Sequence, residues 1–212
     1  DAAELHRRME SDGYLYLPGY LNRDEVLEAR RTIVGRLENE GALEPGTDPM
    51  QAVVREGIEF KFRPDLARDN PTLDELLYSG RMIEFYERFL GGEVRHLDYT
   101  WLRAVAPGRG TAPHGDSVFM NRGTHQLYTA WVPLGDVDYT LGGLIVLEKS
   151  HKIEEIKNEY GQIHVEVADP SKADITVEGL RDRAEEVYQK TPFGMAFVDH
   201  ASLLGTRSKW TS

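Results

Sequence analysis

The chain has 212 residues, of which 40% are hydrophobic, and its net charge is −11 at pH 7. This size predicts a single domain over residues 1–212, and the negative charge argues against nucleic acid or an anionic membrane surface as the main partner. No apolar run reaches the roughly 18 residues of a membrane-spanning helix and no signal-peptide pattern opens the chain, so we expect a cytoplasmic protein.

The first part of the chain, residues 1–92, is predicted to be helical. Asn22 followed by Glu25 is a capping-box arrangement that starts a helix. Four apolar residues then recur on one face of this helix, namely Val26, Ala29, Ile33 and Leu37. One or two further helices follow Asn70-Pro71 and stop at Gly91-Gly92.

The middle of the chain changes to short apolar runs bounded by Gly, Pro and Asp, which are typical of strands. The runs are Leu97 to Trp101, Leu127 to Leu134 and Leu144 to Leu147. Their Gly-rich turns are spaced as in an antiparallel sandwich or barrel, not as in parallel crossover units. We therefore expect a mainly β core at residues 93–151 and 191–212, with a last strand at Met195 to Val198. The charged stretch 152–190 is predicted to be an insertion over the barrel mouth.

A candidate metal site centres on His114-Gly115-Asp116. Residues two apart on a strand point to the same side, so this motif can place an imidazole and a carboxylate on one ion. His200 is the best third ligand, and together they would form the two-His, one-carboxylate triad of non-haem iron(II) enzymes. The chain has no cysteine to offer a thiolate site. His164-x-Glu166 has the same spacing but follows no Gly-rich turn, and His151 is predicted to be a structural turn residue.

Four ordered stretches give the sequence a resemblance to the phytanoyl-CoA dioxygenase family of iron(II) and 2-oxoglutarate oxygenases. They are Asp12-Gly13-Tyr14 with Leu17 to Leu21, Trp101 to Val105 with Gly110 to Asp116, Leu127 to Asp136, and Gly142 to His151. The resemblance implies a double-stranded β-helix (jelly-roll, cupin-like) core with flanking N-terminal helices. It also implies His114, Asp116 and His200 as the iron ligands.

The same resemblance implies a site for 2-oxoglutarate as co-substrate. In the family a small residue and Ser follow the distal His, and His200-Ala201-Ser202 matches this, so Ser202 is expected near the co-substrate. The family also has an Arg beyond the distal His, whose guanidinium pairs with the far carboxylate. Either Arg207 serves here or that Arg lies beyond Ser212.

Further pocket residues are expected around these two groups. Thr129 and Trp131 would face the same side of their strand, and with Tyr128 they are candidates for the co-substrate pocket, although core packing is the favoured interpretation of the two aromatic residues. The candidates for substrate contact are Arg103, Phe119 and Met120. The insertion 152–190 would act as a lid.

The predicted function is a dioxygenase that uses iron(II), 2-oxoglutarate and dioxygen to oxidise a small organic substrate, with release of succinate and CO2. Related halogenases have Ala or Gly where Asp116 stands, so the carboxylate favours hydroxylation or desaturation. Two alternatives stay open on the same scaffold. One is a cupin-like metal enzyme that does not use 2-oxoglutarate, and the other is a non-catalytic binding protein. The sequence does not indicate an oligomeric state.

Overall fold

The computed structural model describes residues 1–60, 62–97, 99–105, 127–138, 141 and 143–154 and the backbone of 202–204. The chain divides into two compact units that interleave along the sequence. The first unit takes residues 1–16, 111–129 and 144–198, and the second takes 17–110, 130–143 and 199–212. Among the described residues, no helix combines the length and the apolar character needed to cross a bilayer.

Helix α1 (Ala2–Asp12) opens the first unit, within the part of the sequence predicted to be helical. Asp1 caps its N-terminus, since the side chain accepts a hydrogen bond from the amide of Ala3 at 3.1 Å. The helix ends at Gly13, whose φ of 87° lies in the left-handed region that favours glycine. The Gly13 amide donates to the carbonyl of Met9, which closes the last turn.

A 3₁₀ turn (Ser150–Lys152) contacts the end of α1 within the same unit. The amide of Lys149 donates to the carbonyl of Asp12 at 2.8 Å. Nε2 of His151 donates to the carbonyl of Glu10 at 2.9 Å. These two bonds satisfy carbonyls that the last turn of a helix leaves without intrahelical partners. His151 is therefore a structural turn residue, as its sequence context predicts.

Helix α2 (Arg23–Asn39) lies at the centre of the second unit. The side chain of Asn22 accepts hydrogen bonds from the amides of Asp24 and Glu25, so the predicted N-cap is confirmed. The predicted apolar face is also confirmed: Ala29, Ile33 and Leu37 are at most 1% exposed, and Val26 packs against them.

Two further helices, α3 (Pro71–Tyr78) and α4 (Gly80–Leu90), occupy the second predicted helical stretch. The buried Asn70 caps α3 by accepting an amide hydrogen bond of its first turn at 3.2 Å. Its Nδ2 donates to Oγ1 of Thr32 at 2.8 Å, which joins α3 to α2. Helix α4 ends at Gly91 with a φ of 74°, where the sequence predicts the stop.

The apolar core of the second unit joins these helices to two later segments of chain. Its helical members include Ala29, Ile33, Val34, Leu37, Leu73 and Leu76, and its later members include Leu102, Ala104 and Leu134. Burial of this apolar surface holds the strand around Ala104 and the segment ending at Leu134 against the helices.

A pair of parallel strands, β1 (Arg103–Val105) and β2 (Ser202–Leu204), lies in the second unit. In register, Arg103 lies opposite Ser202 and Val105 opposite Leu204. On its other side, Arg103 forms an isolated antiparallel bridge with Phe62. A parallel pair needs a long crossover connection, which the chain between β1 and β2 provides. This pair differs from the antiparallel neighbours that the turn spacing predicts.

The other runs predicted as strands form no extended strand among the described residues. At Leu97 to Trp101 a local turn intervenes, because the amide of Leu102 bonds the carbonyl of Thr100 at 3.0 Å. In Leu127 to Leu134 a single residue, Pro133, takes part in a β-bridge, and the carbonyl of Leu134 accepts a hydrogen bond from Arg30. Leu144 to Leu147 is likewise not in a strand. The jelly-roll core as a whole stays a prediction.

Candidate functional site

Most of the predicted site residues lie outside the residues that the structure describes. They are His114, Asp116, Phe119, Met120, His200 and Arg207. For Ser202 the backbone alone is described, in β2. The ligand set and these pocket residues therefore stay predictions. The structure describes the surroundings of Arg103, Tyr128, Thr129 and Trp131.

The described histidines with assigned contacts take part in packing and turn structure. The ring of His96 stacks on Tyr78 with centroids 4.3 Å apart, and His151 bonds the carbonyl of Glu10. Within the described part of the chain, no group of three or more His, Asp or Glu side chains is arranged to hold a metal ion. His114, Asp116 and His200 thus have no rival cluster among those residues.

Arg103 is the predicted site residue whose surroundings are most completely described. It is half-buried on β1, and its Cζ lies 5.8 Å from the centroid of the Phe62 ring. Phe62 is followed in a row by Tyr99, with centroids 6.5 Å apart, and by Trp101, 4.6 Å from Tyr99 in an edge-on arrangement. A guanidinium over an aromatic face is stabilised by the ring quadrupole.

Phe62 and Tyr99 were not among the predicted site residues. Both are exposed, at 39% and 46%. The alternation of Leu97, Tyr99 and Trp101 indicated part of this row, but Phe62 is distant in sequence and is brought beside it by the bridge to Arg103. That bridge joins residues far apart in the sequence, and the sequence pattern does not predict it.

The three pocket candidates after residue 126 differ in exposure. Tyr128, in the first unit, is 37% exposed, which disfavours the core-packing interpretation for that ring. Thr129, in the same unit, is half-buried. Trp131 belongs to the second unit and is half-buried, and the residues that follow it, Val132 and Leu134, are 5% and 1% exposed.

Arg30 forms a hydrogen bond with the segment that carries Trp131. This arginine is 8% exposed, and its Nη1 donates to the carbonyl of Leu134 at 3.0 Å while its Nε donates to that of Met50 at 2.9 Å. Burial lowers the pKa of Arg30 from its ordinary value. Beyond it, Arg23 lies 2.5 Å from Asp136, and this hydrogen bond lowers the pKa of the Asp136 carboxyl.

The residues present fit the two groups that the predicted chemistry requires. Two imidazoles and one carboxylate are a ligand set suited to iron(II), and they leave positions open for a co-substrate and dioxygen. A dicarboxylate co-substrate needs a guanidinium, and the candidate that the sequence offers for it is Arg207.

Comparisons with known proteins place this sequence among oxygenases. The family described as Phytanoyl-CoA dioxygenase (PhyH) matches residues 9–193. A curated relative, 1-deoxypentalenic acid 11-beta-hydroxylase from Streptomyces exfoliatus, is 26% identical over 161 residues, which cover 72% of this chain and 55% of the relative. The chain thus spans about half the length of that relative. No solved structure matches significantly.

Proposed function

The chain belongs to the phytanoyl-CoA dioxygenase family, and we propose on that basis that it is an iron(II)- and 2-oxoglutarate-dependent dioxygenase acting on a small organic substrate. The observation that carries the proposal is the family match over residues 9–193, which contains the His114-Gly115-Asp116 motif. His200 lies beyond the matched residues, so its role rests on the motif His200-Ala201-Ser202.

In this proposal His114, Asp116 and His200 would hold the iron through two imidazoles and one carboxylate. The bound iron and 2-oxoglutarate supply the activation of dioxygen, with succinate and CO2 as co-products. The carboxylate of Asp116 would be one of the ligands, which favours hydroxylation or desaturation of the substrate. The relative's name, that of a hydroxylase acting on a carboxylic acid, supports the same outcome.

The pairing of β1 with β2 supports the third ligand. Ser202 lies beside Arg103 at the spacing of neighbouring strands, about 4.8 Å. Arg103 lies on the strand that precedes the His114 motif in the sequence, and β2 begins two residues after His200.

The remaining pocket is assigned by position along the chain. Phe119 and Met120 follow the His114 motif and would contact the substrate. Residues 152–190 would cover the bound substrate and exclude water. Substrate choice would then depend on these segments and not on the metal ligands.

Anaerobic titration tests the proposal. Wild-type protein loaded with iron(II) should develop the weak visible charge-transfer absorption of a chelated 2-oxo acid when 2-oxoglutarate is added. His114→Ala should lose this absorption because one of three ligands is missing, whereas His164→Ala, at the rival His164-x-Glu166 motif, should keep it. Admitting air should then release succinate from the wild-type protein.

The alternatives give different results in the same titration. Folded wild-type protein that binds iron(II) without responding to 2-oxoglutarate would overturn the proposal in favour of a cupin-like metal enzyme that does not use this co-substrate. Protein that binds no iron(II) would overturn it in favour of a non-catalytic binding protein. Loss of the absorption in His164→Ala but not in His114→Ala would overturn the ligand assignment.

A further inference from the structure

Arg30 joins α2 to the segment that carries Trp131, and the guanidinium that does so is almost closed to water. The residue is 8% exposed, and its Nη1 donates to the carbonyl of Leu134 at 3.0 Å. We infer that Arg30 is a positioning residue, which fixes the direction of the Trp131 ring and thereby sets the affinity for 2-oxoglutarate. The inference rests on the proposed function and on the predicted place of Trp131 in the co-substrate pocket.

The burial of residues 131–134 indicates which way the Trp131 ring faces. Val132 and Leu134 are 5% and 1% exposed, whereas Trp131 and Pro133 are half-buried. Such alternation is typical of extended chain with one face on a core, because successive side chains point to opposite sides. Leu134 belongs to the apolar core around α2, so the Trp131 ring belongs to the other face of the segment. A rotation of the segment about its length would therefore turn this ring.

The hydrogen bond to the Leu134 carbonyl opposes such a rotation. The same guanidinium donates through Nε to the carbonyl of Met50 at 2.9 Å, so it is held in place on its other side. Its planar fork has fixed donor directions, and it therefore holds the Leu134 peptide in one orientation. Gly135 permits this close approach, because a Cβ there would lie 3.2 Å from Nη1 of Arg30.

A second contact between α2 and the segment lies two residues further along. Nη1 of Arg23 is 2.5 Å from Oδ1 of Asp136. These side chains are 63% and 78% exposed, so water screens their attraction and the pair contributes little. The buried contact of Arg30 is therefore expected to determine the orientation of the segment, and Arg23→Gln should have a smaller effect.

Acrylamide quenching of the Trp131 fluorescence tests the positioning without any co-substrate. The chain has three tryptophans, so the emission of Trp131 is isolated by subtracting the spectrum of Trp131→Phe in each background. Arg30→Gln should increase the quenching constant of this emission, because the released segment gives the quencher better access to the ring.

Arg36→Gln is the matched control, since Arg36 lies on the same helix and also donates to backbone carbonyls. Its partners are the carbonyls of Leu66, Arg68 and Asp69. These bonds hold a different part of the chain, so Arg36→Gln should leave the quenching of Trp131 as in the wild type.

Equilibrium binding of 2-oxoglutarate to iron-loaded protein, measured anaerobically, is the second readout. Arg30→Gln should weaken this binding about tenfold, as is typical when a residue that orients a contacting group is removed. Arg30→Lys should recover part of the affinity, because it keeps the charge and one donor but not the fork. In a Trp131→Phe background Arg30→Gln should weaken binding less, because residues that act through one contact are not additive. Arg36→Gln should bind like the wild type.

All comparisons are made below the melting transition of each variant. If Arg30→Gln does not fold, Arg30→Lys replaces it, with changes expected in the same direction. Unchanged quenching of Trp131 in the folded Arg30 variant, or equal changes in the Arg30 and Arg36 variants, would overturn the inference and leave the proposed function standing. Iron-loaded wild-type protein that binds no 2-oxoglutarate would overturn the proposed function, and the inferred effect on affinity with it.

Discussion

Nη1 of Arg30 lies 3.0 Å from the carbonyl oxygen of Leu134, a residue 104 positions further along the chain. The same guanidinium donates through Nε to the carbonyl of Met50 at 2.9 Å. With 8% exposure, Arg30 has little access to water, so these carbonyls provide the partners that its desolvated charge needs. The residue thereby joins α2 to the segment that carries Trp131.

Arg30→Met should lower the free energy of unfolding by about 3 kcal/mol, because it leaves two carbonyls without their donor inside the protein. Urea denaturation would measure the loss. Arg31→Met is the matched control: Arg31 is exposed and pairs with Glu28 one turn back, so its loss should cost less than about 0.5 kcal/mol. Equal losses in the two variants would contradict a structural role for the buried guanidinium.

Arg30 also marks the limit of what the sequence could predict about the helices. The 3.6-residue periodicity located Ala29, Ile33 and Leu37 on the buried face, and the Asn22 cap fixed where α2 starts. These signals are local. The burial of Arg30 depends on the carbonyls of Met50 and Leu134. Neither residue belongs to α2, so the sequence of the helix alone does not predict it.

The strands and the candidate site depend still more on non-local contacts. Alternating apolar residues at Leu97 to Trp101 predicted a strand, but a strand needs a partner, and the ladder of the described residues begins at Arg103. The register that sets Arg103 opposite Ser202 joins positions on either side of the His114 motif and the charged insertion. Motif and family resemblance could therefore propose the iron ligands, but not the neighbour of Arg103.

Gly13 should be intolerant of substitution for two separate reasons. Its φ of 87° is unfavourable for a residue with a Cβ, and a Cβ there would overlap Nδ1 of His151. The His151 ring cannot move aside without breaking its bond to the Glu10 carbonyl. Gly13→Ala should therefore lower the free energy of unfolding by about 2–4 kcal/mol, the sum of the backbone and overlap costs.

Gly91→Ala isolates the backbone contribution. Gly91 also ends a helix in the left-handed region, at φ 74°, but among the described residues no atom from elsewhere in the fold lies within 4 Å of an added Cβ. Gly91→Ala should therefore lower the free energy of unfolding by about 1–2 kcal/mol. Thermal unfolding of Gly13→Ala in a His151→Ala background should show a cost near that of Gly91→Ala. A cost for Gly13→Ala that is the same with and without the imidazole would show that the overlap is relieved in some other way.

Tyr86 on α4 should make stability fall at alkaline pH. Burial raises the pKa of its phenol to about 12, whereas an unfolded tyrosine titrates near pH 10. The folded state therefore keeps its proton over a range in which the unfolded chain releases one. The contribution of Tyr86 to the free energy of unfolding is fully present below about pH 10 and is lost as the pH rises toward 12. In Tyr86→Phe the unfolding free energy should decline less steeply across that interval.

The ionisation of Tyr86 can be observed directly as well as through stability. Subtracting the phenolate absorbance of Tyr86→Phe from that of the wild type isolates one of the ten tyrosines. In the folded protein this difference should titrate with a midpoint near pH 12, and in strong denaturant near pH 10. The ring of Tyr86 makes a T-shaped contact with Phe85, at 5.3 Å between centroids. Tyr86→Phe keeps this contact and removes the hydroxyl alone. A midpoint near pH 10 in both states would mean that the hydroxyl reaches water in the folded protein.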